Sequence, residues 1–207
     1  MNVVYFGSKE IHADIKRSIN SLLAHTQANV YVLADAPIEV NAEVIDISNQ
    51  PWFDPNGPNY HTKWKMFGLI RAAFTKIFPF DNVLSLDADT IIQDDISELD
   101  DIDLEDYYFA AVKEPYLSML TPYYNTGVCL MNLKQLRTID DQLIDSLNTQ
   151  RYRYVSQDAL NQLGKIKDLP SIYNACKFTA HADNPKILHF ADMTNWRGLP
   201  EVKRWDV

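Results

Sequence analysis

Short apolar runs alternate with a helical stretch at the start of the chain. The first run extends from Val3 to Phe6, and a second and third occupy residues 30–33 and 44–47. Between the first and second, apolar residues recur at helical spacing up to His25: Ile11, Ile15, Ile19, Leu22 and Leu23. The chain therefore opens in the order β-α-β-β, which is typical of an α/β domain with a mainly parallel sheet covered by helices.

A loop and another helix precede the most informative strand. Residues 48–59 contain three prolines and a glycine, which indicates an exposed, irregular connection. Residues 64–77 carry one apolar stripe among basic residues and predict an amphipathic helix. The apolar run at 83–86 predicts the next strand, and two aspartates follow it directly.

The rest of the chain continues the same alternation. We expect strands at 108–112 and 127–133, helices at 136–147 and 158–163, and a last apolar run at 187–190. No linker, repeat or low-complexity segment divides the sequence. We therefore expect a single domain over residues 1–207.

Composition excludes several classes of protein. The chain is 46% apolar, as globular proteins are, and its 19 basic and 28 acidic residues give a net charge of -9. A protein that binds nucleic acid is expected to carry an excess of basic residues, which this chain does not have. The sequence contains neither the apolar core of a signal peptide nor an apolar run long enough to span a membrane. The two cysteines lack metal-binding spacing and are expected to be free thiols in a reducing compartment. We therefore expect a soluble cytoplasmic protein.

Asp87 and Asp89 stand at the carboxyl end of the strand predicted at 83–86. Open α/β sheets bind ligands at that end of their strands. The Asp-x-Asp letters alone are weak evidence, because residues 101–103 repeat them within a charged run that follows no strand. The preceding strand therefore makes the first pair the candidate site.

The residues leave three interpretations of this pair open and exclude a fourth. The aspartates cap a turn, or Asp87 is the nucleophile of a haloacid dehalogenase-type phosphatase, whose motif the DADT sequence resembles. Alternatively, the pair holds Mn²⁺ or Mg²⁺, which bridges the diphosphate of a sugar donor and stabilises it as leaving group. A calcium loop is excluded, because Ile91 and Ile92 occupy the positions that need an oxygen ligand and a glycine.

Four segments, in order along the chain, carry a resemblance to a known family: KWKMFGLIRAAFTKIFPFDNVLSLDADTII, YYNTGVCLMNLKQLR, VSQDALN and ILHFADMTNWRG. They resemble family 8 of the glycosyltransferases, the group containing glycogenin and the bacterial lipopolysaccharide galactosyl- and glucosyltransferases. The resemblance implies a GT-A fold, which is a Rossmann-like nucleotide-diphospho-sugar transferase domain with a mixed, mainly parallel sheet. It also implies metal-dependent, retaining transfer of a hexose from UDP to a carbohydrate or other hydroxyl acceptor.

The same resemblance implies roles for residues around the donor diphosphate. Asp87 and Asp89, which flank Ala88, are expected to bind the metal, with His189 as the third ligand. Lys63 matches a basic position near the donor phosphates, and Lys65 is the alternative.

Further matches concern the sugar and the base. Asn125 corresponds to a sugar-contacting asparagine, and Gln157 and Asp158 match the segment beside the anomeric carbon. Retaining enzymes need a nucleophile there, or a polar group that steadies an oxocarbenium-like state. The resemblance also implies that uracil binds at the end of the first strand, formed by Tyr5, Phe6 and Gly7.

The chain departs from the family pattern at two places. Ser156 stands where the family usually has an aspartate, and Asn195-Trp196 replaces Lys-Pro-Trp in the closing segment. The second change removes a lysine expected to touch the diphosphate, a role for which Arg197 is the nearest substitute. These departures motivate a second hypothesis, in which the protein binds the donor but has lost turnover.

Overall fold

A computed structural model of the chain describes residues 1–115 and 121–206. Two sheets are built from these strands: β1 (Asn2–Gly7), β2 (Asn29–Ala34), β3 (Glu43–Asp46), β4 (Asn82–Leu86), β5 (Thr90–Ile92), β6 (Phe109–Lys113), β7 (Tyr124–Asn132), β8 (Ile166–Asp168) and β9 (Ile187–His189). The larger sheet has the order β3-β2-β1-β4-β7-β6-β8, and β5 pairs with β9 in a separate ribbon.

Most of the helices are short, and the longest has 14 residues. The α-helices are α1 (His12–His25), α2 (Phe74–Ile77), α3 (Leu133–Leu136), α4 (Asp140–Thr149), α5 (Ser156–Gln162) and α6 (Pro200–Lys203). Turns of 3-10 helix occupy Lys9–Ile11, Lys65–Gly68, Ile70–Ala73, Ser97–Leu99, Ser171–Tyr173 and Trp196–Gly198. Across residues 1–115 and 121–206, no helix combines the length and apolarity needed to cross a membrane.

The larger sheet is mixed and mostly parallel, as the sequence predicted. Strands β3, β2, β1 and β4 run parallel to one another, while β7 is antiparallel to both β4 and β6. Because β7 opposes β4, its amino-terminal half lies beside the carboxyl end of β4, with Leu86 opposite Val128. Residues from two distant parts of the chain therefore meet at one edge of the sheet.

Strand β4 is buried on both faces. Val83 packs into the hydrophobic cluster on one side of the sheet, while Leu84 and Leu86 pack into the cluster on the other side, which includes α1. Strands covered on both faces are apolar throughout, unlike the alternating strands of half-exposed sheets. This burial explains the uninterrupted apolar run before the aspartate pair.

Two predicted helices differ in detail from the structure. The apolar stripe at 64–77 is largely buried, but its backbone forms two 3-10 turns before α2 begins. The helix predicted at 136–147 corresponds to α4, which begins only at Asp140, because a separate short helix, α3, ends at Leu136. Between the two helices the Thr138 hydroxyl donates a 2.7 Å hydrogen bond to the Gln135 carbonyl. Such local bonds compete with the regular helical pattern.

Strands β5 and β8 were not predicted, because each has only three residues and depends on a distant partner. Ile91 and Ile92 of β5 are fully buried, so the chain returns to the core directly after the aspartates.

We expect Asn132→Ala to lower the free energy of unfolding by about 3 kcal/mol. The Asn132 side chain caps α3 by accepting from the Gln135 N–H, and its amide donates to the carbonyls of Glu105 and Tyr107. Truncation leaves these part-buried groups without the Asn132 side chain as a partner. Chemical denaturation measures the effect. The exposed Asn49 gives a matched control, Asn49→Ala, which should change stability by less than about 0.5 kcal/mol; equal effects would contradict the assignment.

Candidate active site

A cleft of about 1350 Å³ opens at the carboxyl ends of β1 and β4. Most of the site residues predicted from the sequence lie on its wall: Phe6, Lys63, Asp87, Ala88, Asp89, Asn125, Gln157, His189 and Arg197. The position agrees with the rule that open α/β sheets bind ligands beyond the carboxyl ends of their strands.

Asp87, Asp89 and His189 form a compact group of potential metal ligands. One ligand atom from each lies within 4.8 Å of the others. His189 Nε2 is 3.3 Å from Asp89 Oδ1 and 3.6 Å from Asp87 Oδ2. The ribbon of β5 and β9 creates this proximity, because Thr90, which follows Asp89 directly, pairs with His189.

Gly127 provides the space that the His189 ring occupies. A Cβ atom at position 127 would lie 2.1 Å from His189 Cε1, far inside contact distance. The Gly127 carbonyl also accepts a 2.8 Å hydrogen bond from the Asp87 N–H. A side chain at position 127 is therefore incompatible with the observed position of His189.

The charges of this group are strongly coupled. Burial by itself would lower the pKa of His189, but the neighbouring Asp89 carboxylate outweighs burial and raises that pKa to about 10. Burial likewise opposes ionisation of Asp89, and His189 overcomes it, so the pKa of Asp89 falls below its usual value. Without a cation, His189 is an imidazolium whose Nε2 proton faces two carboxylates.

The donor set fits a divalent cation. Two carboxylate oxygens and one imidazole nitrogen suit Mn²⁺, and carboxylates also suit Mg²⁺. The other ring nitrogen, His189 Nδ1, is already bonded to Asn174 Oδ1 at 2.8 Å, so Nε2 is the nitrogen that faces Asp87 and Asp89. Metal-ligating histidines are commonly held in this way through the nitrogen that does not bind the metal.

Arg71 lines the cleft but was not predicted from the sequence. It is only 7% exposed, and its guanidinium donates to Asp87 Oδ1 at 2.7 Å and to Ser85 Oγ at 3.0 Å. The guanidinium also lies over the Phe6 ring, 4.6 Å from its centroid. One signal could have identified it: Arg71 falls on the apolar stripe, four residues after Phe67, and an arginine there requires a buried partner.

Asn125, Gln157 and Glu114 form a polar wall on the other side of the cleft. The Asn125 amide donates to Glu114 Oε1 at 2.7 Å, and the Gln157 amide donates to the same oxygen at 3.4 Å. The Thr126 N–H in turn donates to Gln157 Oε1 at 3.0 Å. Burial raises the pKa of Glu114, while the bonds from Asn125 and Gln157 oppose that rise. Glu114 was also missed, since nothing in its local sequence distinguishes it from a surface glutamate.

Asp158 does not line the cleft. Its Oδ2 accepts from the N–H groups of Arg153 and Tyr154 at 2.9 and 2.8 Å, and its Oδ1 accepts from the Tyr123 hydroxyl. Val155, which follows Tyr154 in the chain, has a φ of 48°, a value that is unusual for a β-branched residue. The carboxylate therefore holds the strained turn that presents Gln157 to the cleft.

Two of the residues predicted for the base-binding end also lie behind the cleft wall. Tyr5 is fully buried, its hydroxyl accepts from Ser18 Oγ at 3.0 Å, and burial raises its pKa. Gly7 lies against Ile11, whose Cδ1 would be 2.4 Å from a Cβ at that position. Phe6 alone of the three places a side chain on the cleft wall.

The basic residues predicted near the phosphates lie at the rim. Lys63 is exposed, with its ammonium 4.4 Å from the Trp64 ring centroid. Arg197 is held by Asp14, a buried carboxylate of α1, through its Nε at 2.8 Å and a second bond from Nη2. Both side chains border the cleft, and Arg197 is half exposed there.

The glycosyl transferase family 8 model matches residues 3–197 of the chain. No curated protein sequence matches it. One solved structure with the same fold is the bifunctional glycosyltransferase WbbM, with 18% identity, a TM-score of 0.76, and coverage of 94% of this chain and 46% of that chain. Another is the galactosyltransferase LgtC in complex with donor and acceptor sugar analogs, with 19% identity, a TM-score of 0.76, and coverage of 99% of this chain and 94% of that chain. A third is the glycosyltransferase GlyE from Streptococcus pneumoniae TIGR4, with 22% identity, a TM-score of 0.75, and coverage of 99% of this chain and 58% of that chain. The chain thus spans only about half of WbbM and of GlyE, and the low identities establish a shared fold alone.

We expect Gly127→Ala to weaken Mn²⁺ binding roughly tenfold or more, because the added methyl must displace the His189 ring. Isothermal titration of the purified protein with Mn²⁺ measures the change. Gly198→Ala is the matched control, since a Cβ at that position meets no atom within 4 Å. Unchanged affinity in Gly127→Ala would show that the ring position is irrelevant to metal binding.

The His189–Asp89 pair should also make the metal-free protein sensitive to alkali. A pKa raised from 6.5 to about 10 contributes stability that is fully present below pH 6.5 and is lost as the pH rises towards 10. With chelator present, the difference in unfolding free energy between wild type and His189→Gln should therefore shrink across that range. His181→Gln, at a side chain that is 88% exposed, serves as the control for the general effect of replacing a histidine. A constant difference for His189→Gln would contradict the pairing.

Proposed function

The chain belongs to glycosyltransferase family 8, and from that membership we propose a metal-dependent, retaining enzyme that transfers a hexose from UDP to a hydroxyl acceptor. Family membership and the GT-A fold make the protein a glycosyltransferase. The observation that supports the finer proposal is the group of Asp87, Asp89 and His189 at the carboxyl end of β4. We set aside a phosphatase mechanism through Asp87, because the match to the glycosyltransferase family covers the segment that contains this aspartate.

The metal would supply positive charge to the donor diphosphate and so stabilise UDP as leaving group. Asp87, Asp89 and His189 would hold it, and Arg71 keeps Asp87 oriented by occupying the Oδ1 oxygen. Further basic residues border the same cleft: Lys63, Lys65, Arg153, Lys177 and Arg197. Local positive charge of this kind allows an acidic protein to accept an anionic donor.

The base and the sugar would lie on opposite sides of the aspartates. We assign uracil to the end of β1, where Phe6, Ser8 and Ile11 border the cleft. We assign the hexose to the wall formed by Asn125 and Gln157. The Gln157 amide oxygen, fixed by the Thr126 N–H, would steady positive charge developing at the anomeric carbon.

Of the two residues in the Gln-Asp segment, Gln157 is the one we place at the reacting centre. Its side chain borders the cleft, whereas both Asp158 oxygens bind neighbouring groups behind it. Asp158 therefore acts as a positioning residue. The family match over residues 3–197 and the seven-stranded sheet of the described residues support treating residues 1–207 as one catalytic domain.

We expect the purified protein to bind UDP when Mn²⁺ is present and to hydrolyse or transfer hexose from at least one UDP-hexose. Asp89→Asn should weaken Mn²⁺-dependent UDP binding by about tenfold or more, because it removes a charged ligand. Calorimetry and release of UDP measure the two effects.

The Asp101-Ile102-Asp103 triplet, whose two aspartates are exposed, supplies a matched control with the same Asp-x-Asp pattern. Asp101→Asn and Asp103→Asn should leave both UDP binding and turnover as in the wild type. Mn²⁺-dependent UDP binding without turnover of any UDP-hexose would favour the donor-binding hypothesis. The proposed function fails altogether if UDP does not bind with Mn²⁺, or if Asp89→Asn changes nothing.

A further inference from the structure

We propose that Asn174 is a positioning residue that couples the metal ligand His189 to the sugar-binding wall, an inference that rests on the proposed function. Asn174 is fully buried and follows the 3-10 turn Ser171–Tyr173, outside every segment that the sequence singled out. Its side-chain amide bridges His189 and Asn125.

Hydrogen bonding fixes the direction of this bridge. The backbone N–H of Gly127 can only donate, and it lies 3.0 Å from Asn125 Oδ1, so that atom is the amide oxygen. Asn174 Nδ2 must therefore be the group that donates to it, at 2.9 Å. The remaining Asn174 atom is the oxygen, and it accepts from His189 Nδ1 at 2.8 Å.

The consequence for His189 concerns which nitrogen can bind metal. Because the Asn174 oxygen can only accept, Nδ1 keeps its proton, and a cation can replace only the proton on Nε2. Nε2 is the nitrogen that faces Asp87 and Asp89. Asn174 therefore prepares His189 to bind a cation in the same group as the two aspartates.

The consequence for Asn125 concerns the sugar side. With its oxygen held by Asn174 and Gly127, Asn125 directs its Nδ2 to Glu114 Oε1, which also accepts from Gln157. The bridge thus continues from the metal ligand to the residue that we place at the anomeric carbon.

Only a side chain with one acceptor and one donor satisfies both neighbours. The backbone of Asn174 is held separately, since its carbonyl accepts from Thr179 Oγ1 at 2.7 Å and its N–H donates to the Ser171 carbonyl at 3.1 Å. Substituting the side chain therefore tests the bridge while leaving these backbone bonds in place.

The two halves of the bridge can be separated by two substitutions. Asn174→Asp keeps an acceptor for His189 but has no donor for Asn125, so its Kd for Mn²⁺ should stay within about threefold of wild type while kcat for UDP-hexose turnover falls roughly tenfold or more. Asn174→Ala loses both bonds, so its Kd for Mn²⁺ should rise about 10- to 100-fold as well. The Kd is measured by titrating Mn²⁺ without nucleotide.

Asn59→Asp is the matched control. Asn59 is equally buried and its amide bridges backbone groups, but it lies outside the cleft and binds the carbonyls of Leu147 and Gln150. This variant should lose stability and keep the wild-type Kd for Mn²⁺ and kcat.

The inference is overturned if neither Asn174 variant changes Kd or kcat, if both change Kd alike, or if Asn59→Asp reproduces their effects. If Asn174→Ala does not fold, Asn174→Asp still tests the inference, because its kcat should fall while its Kd for Mn²⁺ stays close to that of the wild type. A wild type that binds Mn²⁺ but turns over no UDP-hexose would refute the proposed activity, while the Mn²⁺ titrations would still test the link to His189. A wild type that does not bind Mn²⁺ would overturn both.

Discussion

The pairing of β5 with β9 is the interaction on which the candidate site depends. Thr90 lies opposite His189, so the histidine is fixed one residue away from Asp89 across the ribbon, although it is a hundred positions later in the chain. Ile91 and Ile92 anchor β5 in the core, and Gly127 leaves room for the imidazole ring. The ribbon, and not any local motif, makes two aspartates and a histidine into one ligand group.

Burial of charged groups imposes a second constraint on this part of the molecule. His189, Arg71 and Asp14 are each less than a tenth exposed, and an unpaired buried charge is strongly destabilising. The structure meets the requirement by pairing: His189 with Asp89, Arg71 with Asp87, and Asp14 with both Arg17 and Arg197. Two of these pairs, His189 with Asp89 and Arg71 with Asp87, also hold potential metal ligands in place, so they serve both the stability of the fold and the geometry of the site.

The sequence predicted more of the fold than of the site wall. Apolar runs located β1, β2, β4 and much of β7, because strands buried on both faces need little information beyond their own residues. The sequence did not predict β5 and β8, because these short segments form strands only by pairing with partners elsewhere in the chain. It also gave a continuous helix at 64–77, where the backbone adopts 3-10 turns that the apolar stripe cannot distinguish from α-helix.

By itself, the sequence determined the α/β class, the strand carrying Asp87 and Asp89, and the likeness to one family of glycosyltransferases, because these depend on local periodicity and ordered motifs. The tertiary structure alone decided which residues surround the predicted ones in the site. Nothing in the local sequence distinguishes Glu114 or Asn174, and each takes its place in the site through a partner that is 11 or 49 positions away. Tyr5 and Asp158 lie behind the wall for the same reason, since the direction of a side chain is set by packing and hydrogen bonds between distant segments.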